Sequence, residues 1–239
     1  LLEELGLKDF QVEDDLSFFV NLSDVKSANR VDAEFFQPKY EKLFKKIRQE
    51  SKIQNLEEIA VVRRGSLIDP SFYNELNGTP YIRGGDFSSG ILEKSGLMYI
   101  TENFKPKNET RVSVDDIVFA LIGSVGTTAL ILQGFDGSFI SNNIGKISIK
   151  NNKEVLPEYL IIVLHSVIGK FQFDKEASQT AQPKISDEQI RNFYIPILSK
   201  QLQQKIAELV RKSHEARKKS KELLEEAKRK VEEMIEKGS

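Results

Sequence analysis

The sequence has no cysteine and no tryptophan, and only two methionines and two histidines among its 239 residues. Without cysteine there is no disulfide framework, no thiolate metal site and no cysteine nucleophile. With only His165 and His214, zinc or iron chemistry has very little to work with. No apolar run approaches the roughly 20 residues a membrane-spanning helix requires, and nothing at the amino end resembles a signal peptide. The expectation is a cytoplasmic chain with no membrane partner. A strong positive charge is missing too. The 35 basic and 36 acidic side chains leave a formal charge of -1, so any nucleic-acid contact has to be a local patch.

What is present is enough for a core: 39% of residues are hydrophobic, which argues against wholesale disorder. The length allows one full domain with an appendage, or two small domains. The first residue is not Met, which fits a piece of a longer polypeptide. Three segments are distinguishable. Residues 1–55 form an entry segment, in which Glu13, Asp14 and Asp15 interrupt short apolar clusters. Within it Tyr40, Leu43, Phe44 and Ile47 mark an amphipathic helix over about 38–50, with Pro38 in its first turn.

Residues 56–198 form a sheet-rich domain, opened by a short helix at Leu56 to Ala60. Tyr81-Ile82, Leu97 to Ile100, Ile117 to Ile122, Thr128 to Leu132, Phe139-Ile140 and Ile144 to Ile149 read as strands between glycine-rich turns. Glu158 to Lys170 reads as one apolar helix opened by Pro157, and Ser186 to Gln189 as a capped turn before strand-like Phe193 to Leu198. The fold class is α+β.

Residues 199–239 carry 12 basic and 8 acidic side chains and read as one long helix. Leu202, Ile206, Leu209, Ser213, Ala216, Ser220, Leu223, Ala227, Lys230 and Met234 recur every four and three residues, which is a heptad seam. About 38 residues at 1.5 Å each reach roughly 57 Å. A domain of about 140 residues spans only some 35 Å, so the seam needs another long helix. Leu202, Ile206, Leu209, Ala216, Leu223, Ala227 and Met234 are the candidate dimerisation residues.

Most catalytic chemistry fails on spacing. Asp69-Pro70-Ser71-Phe72 lacks the second proline of an amino-methyltransferase motif and has no glycine-rich cofactor loop before it, so it reads as a turn. Gly123-Ser124-Val125-Gly126 lacks the spacing of a nucleophile elbow. His165 reads as structural and His214 as solvated, with no assignable triad. Asp115-Asp116 reads as a solvated turn, because adjacent strand residues face opposite sides and no Glu-x-Lys follows. The chain is expected to catalyse nothing by itself.

What remains is recognition. Base edges are read by Arg, Asn, Gln, Ser, Thr and Lys, which offer paired donors and acceptors. Loops of that composition lie at Arg63-Arg64-Gly65-Ser66, Arg83-Gly84-Gly85-Asp86, Ser141-Asn142-Asn143 and Ser178 to Lys184. Each is equally readable as an ordinary polar turn, with Arg83 and Asp86 pairing inside the fold.

Thr79-Pro80-Tyr81-Ile82-Arg83-Gly84-Gly85-Asp86-Phe87 with Gly90-Ile91, and Val114 to Ala120 with Gly123 to Gly126, resemble blocks of the type I restriction-modification specificity subunits. So do Pro157-Glu158-Tyr159-Leu160, Gln182-Pro183-Lys184-Ile185-Ser186, the junction from Phe193 to Ala207, and upstream Asn29 to Phe36. The resemblance implies a target recognition domain followed by a helical spacer that pairs antiparallel as a coiled coil. It implies double-stranded DNA as ligand, and the loop compositions then make Arg63, Arg64, Ser66, Arg83, Ser124, Asn142, Asn143, Thr180, Gln182 and Lys184 the expected DNA-facing residues.

The implied partners are DNA methyltransferase subunits, which use S-adenosylmethionine on adenine N6, and restriction-translocase subunits. No cofactor or metal is implied for this chain. One recognition unit and one long helix stand where the family has two of each. A half-length subunit that homodimerises, a truncated piece, and the carboxy-terminal module of a methyltransferase fusion all remain open. A homodimer would read a palindromic, interrupted site. The competing reading is a protein-interaction module that dimerises through its terminal helix.

Overall fold

The computed structural model describes residues 1–12, 15–87, 90–104 and 111–237. Glu13 and Asp14, named above, lie outside the described residues, as do residues 88–89, 105–110 and 238–239 of the segments above. In chain order the elements are α1 (Leu22–Ala28), α2 (Pro38–Glu50), β1 (Lys52–Asn55), α3 (Leu56–Ile59), β2 (Ala60–Arg64), β3 (Tyr73–Asn74), β4 (Thr79–Ile82) and β5 (Met98–Ile100). Then come β6 (Ile117–Ala120), β7 (Thr128–Leu130), β8 (Phe139–Ile140), β9 (Ile144–Ile149), α4 (Pro157–His165), α5 (Val167–Glu176), α6 (Asp187–Arg191), β10 (Tyr194–Ile197) and α7 (Lys200–Lys237). The α+β class and the long terminal helix match the sequence reading.

The centre is a four-stranded sheet in the order β2-β9-β6-β7, antiparallel throughout. Both of its faces are buried, and β6 shows why. Ile117 and Phe119 point into a cluster with α4, α5 and α2, whereas Val118 and Ala120 point into a second cluster with Ile82, Phe87, Leu97 and Ile140. A strand covered on both sides must be apolar at every position, hence Ile-Val-Phe-Ala. The second cluster is roofed by another sheet in the order β3-β5-β4-β8, where β4 and β8 run parallel.

β1 pairs with β10, and α2 buries Tyr40 and sends Leu43, Phe44 and Ile47 into the first cluster. Each such burial contributes about 1.5–3 kcal/mol. Residues 38–55 therefore share the core of the sheet domain.

Three expectations need correction. The run from Glu158 to Lys170 is two helices and not one, because the Ser166 hydroxyl donates to Val163 O (2.7 Å) and accepts from Ile168 N (3.2 Å), ending α4 and capping α5. Arg63 and Arg64 lie on β2, paired with Lys146 and Gly145, and not on a loop. Asp116 is no solvated turn. It is 5% exposed and sits 3.1 Å from Lys146 Nζ. Asp69 does cap a turn at Pro70–Phe72, accepting from Ser71 N at 2.8 Å. Ser186 and Gln189 form a reciprocal capping box on α6.

α7 roots in the domain and then leaves it. Gln203 and Ala207 are buried, and Leu202 and Ile206 pack against the first cluster. Beyond the root Leu209 is 68% exposed, Leu223 56% and Met234 75%. No helix among the described residues is long and apolar enough to cross a membrane.

Candidate nucleic-acid interface

The segments chosen by composition are not neighbours in sequence, yet backbone hydrogen bonds tie them into one edge. Gly65 N donates to Ile144 O (2.8 Å) and Ser66 N to Ile140 O (3.2 Å). Ser66 and Ser141 form a parallel bridge, and Ser141 N donates to Ile82 O at 3.0 Å, next to Arg83. On the other side Leu121 N donates to Asn143 O and Ile185 N to Leu121 O, both at 2.9 Å. Gly123 N then donates to Pro183 O at 2.9 Å. Thus residues 64–66, 82–83, 121–124, 141–143 and 183–185 form a continuous strip.

Gly65 is what lets the strip close. A Cβ there would lie 2.3 Å from Ser141 O and 2.4 Å from Ile140 O, both backbone atoms, so only glycine fits.

The side chains differ in what they leave free. Arg63 is exposed, and its guanidinium has no partner among the described residues. Arg64 donates Nε to Asn142 O, which fixes the guanidinium over the strip. Arg83 is spoken for. Its backbone N reaches Asp86 Oδ2 at 2.7 Å and its Nη2 reaches Gly96 O at 3.2 Å. Thr180 donates Oγ1 to Gln182 O at 2.9 Å, and Lys184 N donates to Ser178 Oγ at 3.0 Å. These bonds brace the 178–184 loop by its backbone and hydroxyls. They leave the Gln182 amide and the Lys184 ammonium without partners among the described residues. The Asn142 and Asn143 side chains are likewise uncommitted there. Ser66 is half-buried and Ser124 exposed.

The strip, with Arg63 and Gln182 next to it in sequence, therefore offers two uncommitted cations, Arg63 and Lys184, and three amides able to donate and accept in pairs. One neighbour is acidic: a groove of about 250 Å³ beside the 178–183 loop is lined by Glu34 and Asp174. Burial pushes the Asp174 carboxyl above its usual range, against the pull of Lys170 and Lys39. Composition missed Leu67, a large apolar side chain that is 76% exposed immediately after Ser66. Its signal was a lone leucine in a polar turn.

The histidines lie elsewhere. His165 ends α4 with Nε2 3.1 Å from Thr128 O. His214 lines a groove with it, and desolvation, then Arg217, lowers its pKa below the usual imidazole value. Among the described residues no group of three His, Asp or Glu side chains could hold a metal ion.

The fold is shared by solved proteins. The type I restriction-modification S subunit from M. genitalium superposes with a TM-score of 0.51 at 16% identity, over 66% of this chain and 37% of that one. The HsdS subunit from Thermoanaerobacter tengcongensis gives 0.51 at 17%, over 69% and 37%. The type IIG restriction endonuclease BpuSI gives 0.52 at 13%, over 79% and 30%. The chain thus spans between 30% and 37% of the length of these proteins. No curated protein matches the sequence. The family described as type I restriction modification DNA specificity domain matches residues 48–229, most of the chain, and to that family the chain belongs.

Proposed function

We propose that this chain reads duplex DNA sequence-specifically through the hydrogen-bonded strip, and that two copies joined through α7 position an adenine-N6 methyltransferase on a split target. The observation that carries the reading is the hydrogen-bonded strip, which gathers Asn142, Asn143 and Lys184, with Arg63 and Gln182 next to it in sequence, along one edge of a double-faced sheet with their polar groups uncommitted. Amides pair with adenine and guanidinium with guanine. A good bidentate pair discriminates by about 1–3 kcal/mol, so one domain binds weakly and two linked copies gain by effective concentration. The partner methyltransferase brings S-adenosylmethionine and turns the adenine out of the stack. Restriction-translocase subunits complete the assembly in the cytoplasm.

The test is selection of bound duplexes from a random pool, with and without the cognate methyltransferase. An interrupted palindrome supports the proposal, and a flat pool in both conditions overturns it. DNA affinity should also fall steeply with salt, which a protein–protein contact of the same domain would not show.

A further inference from the structure

Along α7 the seam residues leave two unlike flanks. One flank carries Val210, Arg217, Leu224 and Val231; the other carries Lys205, Lys212, Lys219, Glu226 and Glu233. The domain sits on the first side, where Gln203, Ala207 and His214 are buried or half-buried. There an apolar groove of about 410 Å³ opens between rod and domain, with Leu209, Val210 and Ser213 on one wall and Ile91, Leu130 and Ile162 on the other. At the far end of the rod Val231 and Met234 are 55% and 75% exposed.

We infer that α7 pairs antiparallel with α7 of a second copy about a two-fold axis between Lys221 and Glu222, so that each rod's tip fills the groove at the root of the other. This rests on the homodimer proposed above and specifies its register. In an antiparallel pair the seam stacks Leu209 on Met234, Ser213 on Lys230, Ala216 on Ala227 and Ser220 on Leu223. The flank towards the domain brings Val210 against Val231, apolar on apolar at the mouth of the groove, and nearer the axis the stem of Arg217 against Leu224. The flank towards solvent brings Lys212 against Glu233 and Lys219 against Glu226, each occurring twice by symmetry. Within one chain Lys212 holds Glu208 at 2.7 Å and Glu226 holds Lys230 at 2.6 Å. Lys230 can keep that bond while its stem lies in the layer with Ser213.

Other alignments are worse by the same rules. A shift of one heptad towards the roots sets Lys219 against its own copy and calls on Leu202, already packed on its own domain. The opposite shift sets Glu226 against its own copy and abandons Leu209. A parallel pair buries Lys230 against Lys230 and sets Lys212 against Arg217.

The absence of native cysteine makes the register directly readable. Full-length chains carrying Ser213→Cys and Lys230→Cys are mixed and treated with a short thiol crosslinker. A covalent dimer forms in the mixture and with neither variant alone. Crosslinking of Ser213→Cys with Leu223→Cys instead overturns the register while leaving an antiparallel homodimer standing.

Charge gives a second reading. The double variant Lys212→Glu/Lys219→Glu, and separately Glu226→Lys/Glu233→Lys, each raise the dimer Kd more than about tenfold by turning attractions into repulsions. Mixed together, the two variants recover a heterodimer. Helical content by circular dichroism confirms that each variant is folded. Folded variants that dimerise like the parent overturn the register alone. A monomeric parent chain at micromolar concentration overturns both the register and the homodimer.

Discussion

Glu158 on α4 is buried, and Arg211 of α7 donates Nε to its carboxylate across the joint between domain and rod. The other carboxylate oxygen, Oε2, has no partner among the described residues. The pair is lopsided: the Glu158 side chain is 8% exposed and that of Arg211 61%. Removing Arg211 strands a buried charge, which in a fully buried pair costs about 3–5 kcal/mol. Solvent at the arginine end screens part of that. Arg211→Ala should therefore lower stability by about 1–2 kcal/mol, read as a fall in Tm. The second tether, Lys221 to Glu93 at 2.6 Å, has both side chains about half exposed. Lys221→Ala should change stability by less than about 0.5 kcal/mol.

The two kinds of arginine on the strip should separate cleanly. Arg63 and Lys184 have no partner among the described residues, so alanine at either should leave Tm unchanged while weakening DNA binding. If the contact is to phosphate, the salt slope should fall by about one. Arg83 is held by Asp86 and Gly96, so Arg83→Ala should lower Tm. Affinity and thermal melts on the same three proteins test this. A DNA defect for Arg83→Ala at full stability would place its guanidinium on the DNA.

Acid should loosen the entry segment first. Arg30 bonds Asp32 at 2.8 and 2.6 Å and also donates to Glu176 O and Ala177 O. The Arg30 hydrogen bonds hold the Asp32 carboxyl below its usual value, against the opposing effect of burial. A carboxylate lowered on folding stabilises fully above its unfolded pKa of about 3.9. That contribution is lost as pH falls through the lower folded value. Neutral and mildly acidic solutions should leave the segment anchored. Below about pH 4 the amides of residues 29–36 should lose hydrogen-exchange protection before those of β6. Arg30→Ala should produce the same loosening at pH 7.

Elements set by local chemistry were legible in the sequence. α2, α6 with its cap and the full length of α7 follow from spacing and caps, β6 from an unbroken apolar run and β9 from isoleucines recurring between glycine, lysine and serine. What was illegible depended on distant partners. β1 is Lys-Ile-Gln-Asn, polar enough to pass for a linker, and becomes a strand only because β10 arrives some 140 residues later. Asp116 looked solvated because Lys146, which neutralises it, lies on another strand. The Ser166 break hides in an apolar run, since a serine cap has no hydrophobic signature. For the strip, composition named the segments, but their adjacency comes from Leu121, Ser141 and Gly65 bonding across the fold. No local pattern encodes that.

Gly65 allows that adjacency to be tested apart from any contact with DNA. Its missing side chain faces backbone oxygens of Ile140 and Ser141, which cannot rotate away. Gly65→Ala must push β2 from the 140–141 turn, costing about 1–3 kcal/mol as overpacking does. It should also displace Arg63 and Arg64 relative to Asn142 and Asn143. Gly169→Ala is the matched control, on α5 and outside the strip. Its Cβ would lie 2.1 Å from Leu164 O, again a backbone oxygen and a clash of similar cost. Gly84→Ala meets nothing within 4 Å and should be silent in stability. Compared at a temperature where all three are folded, Gly65→Ala should lose DNA affinity well beyond Gly169→Ala. Equal losses in Gly65→Ala and Gly169→Ala would mean that the spacing of the strip does not govern reading.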